Sequence, residues 1–373
     1  MTKTSRNAAA AAEESFHKHY AAIWGATRWQ ESLYPALAQQ TKYAVLINKY
    51  ASPEDFWKAM DEAQISRDEL QKLALPGADA DQHDGISCYA RNSSNVDAAF
   101  PAPRPASNGL LTHWNLDAAS ALAAHLLNAR PGDRILDLCA APGGKSVTVA
   151  QSLFPGLQAQ AETLTGRNDG LLRSNEAEPR RQKRLAENLQ YYLPRQANVQ
   201  CLRVDGTGSS ISPLLVPGGY DKILVDAPCS SERHIIHAHL KARTSGNAAP
   251  EMTNWRPGSS KRLAQTQLAL LMTALKAAKV GGTVLYATCS LETTENDGVV
   301  EKMLAQVAKE KKKGAKWAVE VGFGADEGVI AMEQQLEAWA ERTNSGWIVL
   351  PDHPGGGRWG PLFFASLRKV LAG

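Results

Sequence analysis

Ile135-Leu136-Asp137-Leu138-Cys139-Ala140-Ala141-Pro142-Gly143-Gly144-Lys145 is the stretch that decides the fold. An apolar strand over 134–138 runs into a Pro-Gly-Gly turn, and a helix follows Gly144. Strand, glycine turn and helix are the opening unit of an open α/β sheet. Glycine there lets the backbone approach a ligand at the switch point of the strand order. Neither GxGxxG nor GxxxxGK[ST] is present, so the turn favours neither NAD nor ATP. Taken alone, the loop also reads as a tight turn with no ligand.

Working outward, strands and helices alternate. Strands are expected over 134–138, 171–174, 199–204, 222–226 and 283–288, and the tail 358–367 reads as the last strand. Helices are expected over 118–128, after Gly144, and over 179–191, 260–278 and 295–311. Such alternation predicts an α/β fold with a parallel, doubly wound, Rossmann-like sheet. Residues 13–75 look mostly helical. The stretch 34–50 shows helical spacing, and a second helix starts at Pro53 with Ser52 as its N-cap. Residues 76–108 read as a linker or irregular strand region, and 238–259 as a long loop. The expected organisation is a mainly helical extension with linker over 1–105 and a catalytic domain over 106–373.

At 373 residues, with 43% hydrophobic and 21% charged side chains, the chain has the composition of a globular protein with a substantial core. No apolar run reaches the ~18 residues of a membrane span, so no membrane partner is expected. The net charge of +3 says little about nucleic acid. Two local clusters suit phosphate neutralisation better: Arg173, Arg180, Arg181, Lys183 and Arg184, then Lys241, Arg243, Arg256, Lys261 and Arg262. Lys309, Lys311, Lys312 and Lys313 read as a solvated helix face. Five cysteines without CxxC argue against a disulfide framework and a structural zinc site. His234, His237 and His239 lack a matched carboxylate, so they read as solvent- or RNA-facing, and no metal is expected. Residues 1–12 carry Lys3 and Arg6 and no acid, a faint transit-peptide composition that Glu13 and Glu14 cut short.

Acids stand at three successive strand ends: Glu176, Asp205 (followed by Gly206) and Asp226. One such acid is commonplace. Three line one crevice and suit a nucleoside cofactor, with the first on the ribose diol and Asp205 on the adenine amino group. Two cysteines stand at strand ends as well, Cys229 in Asp-Ala-Pro-Cys-Ser and Cys289 in Thr-Cys-Ser. Cys88, Cys139 and Cys201 read instead as small buried hydrophobes. A strand-end thiolate beside an acid suits covalent catalysis on a carbon that resists activation. Addition of a thiolate to C6 of a cytosine makes C5 nucleophilic towards an electrophilic methyl group. An adjacent aspartate helps by protonating or hydrogen-bonding N3, and a second cysteine suits the final elimination.

LDLCAAPGGKS, VDAPCSSERH and YATCSLETTEND together resemble the motifs of the Sun-domain RNA cytosine-5 methyltransferases, over about residues 106–373 and including the closing Gly360-Pro361-Leu362-Phe363-Phe364. The resemblance implies a seven-stranded sheet and S-adenosyl-L-methionine as cofactor. It implies Cys289 as nucleophile, Cys229 in product release and Asp226 at the target base. It also places the loop Cys139, Ala140, Ala141, Pro142, Gly143, Gly144 and Lys145, together with Glu176, Arg181, Asp205, Gly206 and Asp226, around the cofactor. Many members continue as PCSGxG. The Cys229-Ser230-Ser231-Glu232-Arg233-His234 variant, with Gln40-Thr41-Lys42-Tyr43-Ala44 and Pro103-Arg104-Pro105, resembles the mitochondrial small-subunit ribosomal RNA branch. The expected activity is methylation of cytosine C5 in RNA, ribosomal RNA above all, on a nucleotide that is single-stranded or flipped out. RNA selection would then rest on the N-terminal region or a protein partner, in the mitochondrion or otherwise in the cytoplasm or nucleolus. The rival is a ribosome-assembly factor that keeps the fold without an essential activity.

Overall fold

The computed structural model describes residues 3–77, 86–92, 99–159, 169–324 and 327–372. Two sheets are built in chain order. The first is antiparallel and four-stranded, from β1 (Ala44–Ile47), β2 (Leu70–Lys72), β3 (Cys88–Arg91) and β4 (His113–Leu116), in the order β2-β3-β1-β4. The second holds β5 (Arg134–Asp137), β6 (Leu171–Asn175), β7 (Val199–Leu202), β8 (Tyr220–Asp226), β9 (Ala278–Thr288), β10 (Trp317–Val321), β11 (Glu341–Arg342), β12 (Trp347–Val349) and β13 (Leu362–Leu371). Its path is β11-β12-β13-β9-β8-β5-β6-β7, with β10 also on β13.

From β7 through β6, β5 and β8 to β9 the pairing is parallel, and β13 adds antiparallel to β9. The chain leaves β5 towards β6 and β7, then returns to place β8 on the other side. The switch point therefore lies at the C-terminal ends of β5 and β8, where Asp137 and Asp226 stand. Burial explains why these strands read as continuous apolar runs. Ile223 and Val225 point into one core with the Ser260–Ala277 and Asp297–Lys312 helices. Leu224 points into the other, with the Ala118–Leu126, Gly144–Leu153 and Pro179–Tyr192 helices.

Among the described residues the sheet has nine strands, where the resemblance implied seven. The edge beyond β13 is shared by two short strands, β12 opposite Leu362–Phe364 and β10 opposite Leu367–Leu371, and β11 adds a short hairpin arm to β12. The region before residue 106 is mainly helical, led by the Lys3–Trp24 helix, but 34–50 is not one helix. Helix ends at Ala38, and Ala44-Val45-Leu46-Ile47 becomes the inner strand β1, buried on both faces, where β-branched residues pack well. The stretch 76–108 contributes β3, and 78–85 and 93–98 lie outside the described residues. The fourth strand, β4, comes from beyond residue 106, so the first sheet is closed by the chain of the second region. Ser52 does cap the Pro53–Glu62 helix, accepting from the Glu54 amide.

The expected long loop over 238–259 is half helical, in the end of one helix and the short Pro250–Thr253 helix. Glu232–Thr244 continues as helix because Ile235, Ile236 and His239 bury one face, and it ends before Gly246 at φ 68°. His239 and His237 are correspondingly not solvent-facing. His239 is buried with Nε2 3.2 Å from Glu13, and His237 Nε2 meets the Leu37 and Gln39 carbonyls. The lysines at 309 and 311–313 are exposed.

Candidate active site

The glycine turn is held from three sides. Gly143 takes the left-handed φ of 119° that starts the Gly144–Leu153 helix, a conformation few other residues adopt. A Cβ on Gly144 would stand 2.9 Å from Trp114 Nε1, so its small size is required by packing against β4 rather than by approach of a ligand. Asn188 donates to the Pro142 carbonyl and Arg181 to that of Ala141, while the Ala140 amide donates to Asn175. Asn175, at the end of β6, also bonds Leu138 and Val204 and so pins three strand ends together. Its importance is invisible in sequence, because a lone asparagine after a strand carries no pattern.

A cleft of about 500 Å³ opens over these strand ends. Cys139, Ala141, Glu176, Arg181, Asp205, Gly206 and Asp226 line it, with Cys229 and Cys289. Glu176 is buried and lies 3.3 Å from the exposed Arg181 guanidinium. Asp205 stays near the surface, and bonds from the Thr207 hydroxyl and amide hold its carboxyl below the usual range. Ala140, Pro142, Gly143 and Gly144 support this cleft without lining it. Lys145 does not line the cleft but bonds a residue that does: its Nζ lies 2.7 Å from Asp226 and 3.2 Å from Ser120 Oγ.

Lys145 instead borders a second pocket of about 280 Å³ with Asp117, Asp226, Ser231, Arg233 and Cys289. Asp226 and Cys289 line both spaces, so they stand at the opening between them. The lip of this pocket is clamped at one peptide. Asp117 accepts from the Gly360 amide at 3.0 Å, and Arg233 donates to the Gly360 carbonyl at 2.5 Å. Asp117 also caps the Ala118–Leu126 helix.

The two thiols lie 3.0 Å apart, and Ser231 Oγ lies 3.0 Å from Cys289. Both cysteines are free and part-buried. The hydrogen bond from Cys229 holds the Cys289 thiol below its ordinary range, against the opposing effect of burial. That same bond pushes Cys229 well above its range. The pair is therefore asymmetric, with Cys289 the thiol that gives up its proton the more readily. The residues after the thiols lock the two loops together. Ser230 Oγ meets Ser290 Oγ at 2.7 Å, and the fully buried Glu232 accepts from Ser230, from the Leu291 amide and from Tyr20. Burial pushes Glu232 up to about 7. Tyr20, Glu232, Asp117 and Arg233 were not legible in the sequence, since each acts through a partner far away in the chain. Ser231 had one signal, its place two residues after a strand-end cysteine. Cys88 is fully buried, as expected, whereas Cys139 reaches the cleft wall.

The fold and cleft define the class, an S-adenosylmethionine-dependent methyltransferase. Residues 124–344 match the family model described as 16S rRNA methyltransferase RsmB/F, and the chain belongs to that family. It is similar to the mitochondrial tRNA (cytosine(34)-C(5))-methyltransferase of Mus musculus, 28% identical over 96% of this chain and 89% of that one. It is also similar to the 5-cytosine rRNA methyltransferase NSUN4 of Bos taurus, 31% identical over 72% of this chain and 68% of that one. Among solved structures, a methyltransferase homologue from Pyrococcus horikoshii superposes with a TM-score of 0.58 at 20% identity, over 99% of this chain and 100% of that one. NSun6 from the same organism, solved with SFG, gives 0.58 at 17%, over 95% and 98%. The protein is an RNA cytosine-5 methyltransferase that uses S-adenosylmethionine, and the cleft's volume lies in the range of small-molecule sites. Among the described residues, no helix is long and apolar enough to cross a membrane.

Proposed function

We propose that the enzyme methylates C5 of a cytosine in ribosomal RNA through a covalent bond between Cys289 and C6. The observation that carries this is the different outlook of the two thiols. Cys289 borders both the 500 Å³ cleft and the 280 Å³ pocket, whereas Cys229 borders the cleft but not the pocket. The pocket takes the flipped base and the cleft takes the cofactor, which supplies an electrophilic methyl group. Glu176 and Asp205 suit the cofactor's hydroxyl and amine donors, and Leu138, Val204 and Leu270 suit its apolar ring. Arg181 acts through Glu176. Asp226, held by Lys145, faces N3 of the base and favours addition to its ring. Cys229 then serves elimination.

The test is a denaturing gel with labelled RNA and S-adenosylmethionine. Cys229→Ala is expected to stall as a retarded protein–RNA band, and the double variant with Cys289→Ala to lose it. A stalled band in Cys289→Ala alone reverses the roles. Unchanged RNA methylation in cells bearing Cys289→Ala supports the assembly-factor reading instead.

A second reading, cytosine 34 of a tRNA, is favoured by one observation. Similarity to the mitochondrial tRNA enzymes runs over 96% of the chain, against 72% for the bovine rRNA enzyme. Bisulfite sequencing of total RNA with and without the protein separates the two. We further propose a mitochondrial location, supported by the mitochondrial tRNA relatives, and RNA selection through the N-terminal region or a protein partner. Residues 1–105 then form the RNA- or partner-contacting extension and 106–373 the catalytic domain. Import of a tagged full-length chain into isolated mitochondria tests the location.

A further inference from the structure

A third cavity of about 240 Å³ borders Cys229 and shares no lining residue with the base pocket. Cys229, Ser230, Tyr20, Ser260 and Glu292 line it, so Cys229 is the wall between this cavity and the cofactor cleft. At roughly 30 Å³ per water, it has room for several, and its walls offer hydroxyls and a carboxylate to hold them. A hydrogen-bonded chain leads away from it. Glu232 and Glu292 are bridged by the Tyr20 hydroxyl at 2.8 and 3.2 Å, and Glu292 meets His19 Nε2 at 2.6 Å. The chain starts in full burial at Glu232 and reaches solvent at His19, whose side chain is 22% exposed against 5% for Glu292. Two of its members, His19 and Tyr20, belong to the N-terminal helix, far from the catalytic motifs in sequence.

We propose that this cavity and chain form a proton outlet for the methyltransferase reaction, with Glu292, Tyr20 and His19 as its positioning and relay residues. The inference rests on the covalent reading above. Methyl transfer to C5 releases one proton per turnover, and with the cofactor filling the cleft, the third cavity is the other space that Cys229 borders. Attack of the Cys289 thiolate on C6 turns its sulfur into a thioether and removes the hydrogen-bonded partner that held the Cys229 proton. That proton passes to water in the third cavity, then to Glu292 and His19 and out to solvent, leaving Cys229 as a thiolate. After methylation, Cys229 takes the C5 proton and the C–H electron pair forms the C5–C6 double bond. The C6–S bond breaks, with Cys289 leaving as a thiolate. The resting pair is restored with one proton exported. The carboxyl of Glu232, pushed up to about 7 by burial, keeps a proton available at the inner end of the chain.

The experiment follows adduct formation and release separately in the full-length enzyme, by quench-flow with labelled RNA and gel separation. For Glu292→Gln, we expect adduct formation and single-turnover methylation at the wild-type rate, with release slowed tenfold or more, so that the adduct accumulates. Tyr20→Phe should show the same split, and His19→Gln, at the exposed end, a smaller one. A thermal melt confirms that each variant is folded. Release at the wild-type rate in folded Glu292→Gln and His19→Gln overturns the outlet. Equal loss of formation and release in Glu292→Gln and Tyr20→Phe also overturns it, because that is a merely structural effect. If Cys229→Ala forms no adduct either, the covalent reading itself falls, and the outlet falls with it.

Discussion

The cofactor cleft takes its walls from the ends of neighbouring strands β5, β6 and β8 and from the turn after β7, whereas the thiol pocket is stitched together from distant segments. Gly360 and Asp117 are 243 residues apart, and Tyr20 and Glu232 are 212 apart. In the cleft, an acid such as Asp205 remains near water and finds its partners within its own turn. Around the thiols, Glu232 and Glu295 are buried and accept hydrogen bonds from two loops, at Ser230 and Leu291, and from Gln267 on the Ser260–Ala277 helix. The difference teaches where substitutions act. An exposed acid on a sheet crevice alters ligand affinity and little else. A buried polar network in low dielectric alters geometry, protonation and stability together.

The sharpest way to break this comparison is Cys289→Ala. It should lower methyl incorporation by at least about 10³-fold, the scale seen when a catalytic nucleophile is removed. Radiolabelled methyl transfer to RNA checks it. Activity within tenfold of wild type would mean that the thiol pocket is not where the chemistry happens.

The next effect is on stability against pH. Burial pushes Asp137 and Glu232 up to about 7, from about 4 in an unfolded chain. At these two groups the folded state therefore holds protons that the unfolded state has released, so their contribution to stability is fully present below about pH 4 and is lost as pH rises through 7. Glu232→Gln should flatten that decline by about 3 kcal/mol between pH 5 and 7, since one pH unit is worth about 1.4 kcal/mol. Urea unfolding between pH 5 and 8 measures it, and an unchanged slope would show that Glu232 stays ionised.

Asp205→Ala sharpens the other side. It should weaken S-adenosylmethionine binding by about 1–2 kcal/mol, at the low end for a lost hydrogen bond because the site is wet. Thermal stability should shift little. Calorimetry with equal affinity in the variant would remove Asp205 from the cofactor site. The smallest effect belongs to the exposed Arg180 and Arg184 on the Pro179–Tyr192 helix. Each substitution to glutamine should lower the salt slope of RNA binding by about 1 without changing sequence preference. A slope that stays put would make them ordinary surface charge. Arg243 and Arg256 are poorer candidates than the sequence suggested, because Glu13 and the Thr253 and Trp255 carbonyls already engage them.

The sequence by itself determined the parallel centre of the large sheet and brought the candidate site residues to one set of strand ends. Local apolar runs punctuated by Pro142-Gly143-Gly144 mark where strands end, and a strand end in an open sheet is where ligands meet it. For that reason Glu176, Asp205, Asp226, Cys229 and Cys289 could each be placed on the same cleft from neighbours a few positions away. Where local pattern and long-range pairing disagreed, the sequence misled. Ala44-Val45-Leu46-Ile47 fits a helix by spacing, but two strands far along the chain pair with both its edges, and a separate apolar core covers each face. Only the tertiary structure decided that Lys145 serves Asp226, that Trp114 requires glycine at 144, and that Tyr20 and Glu232 stand behind the thiols. A buried hydrogen bond between groups hundreds of residues apart leaves no periodicity or motif. It is satisfied only once both ends have left water and closed on each other.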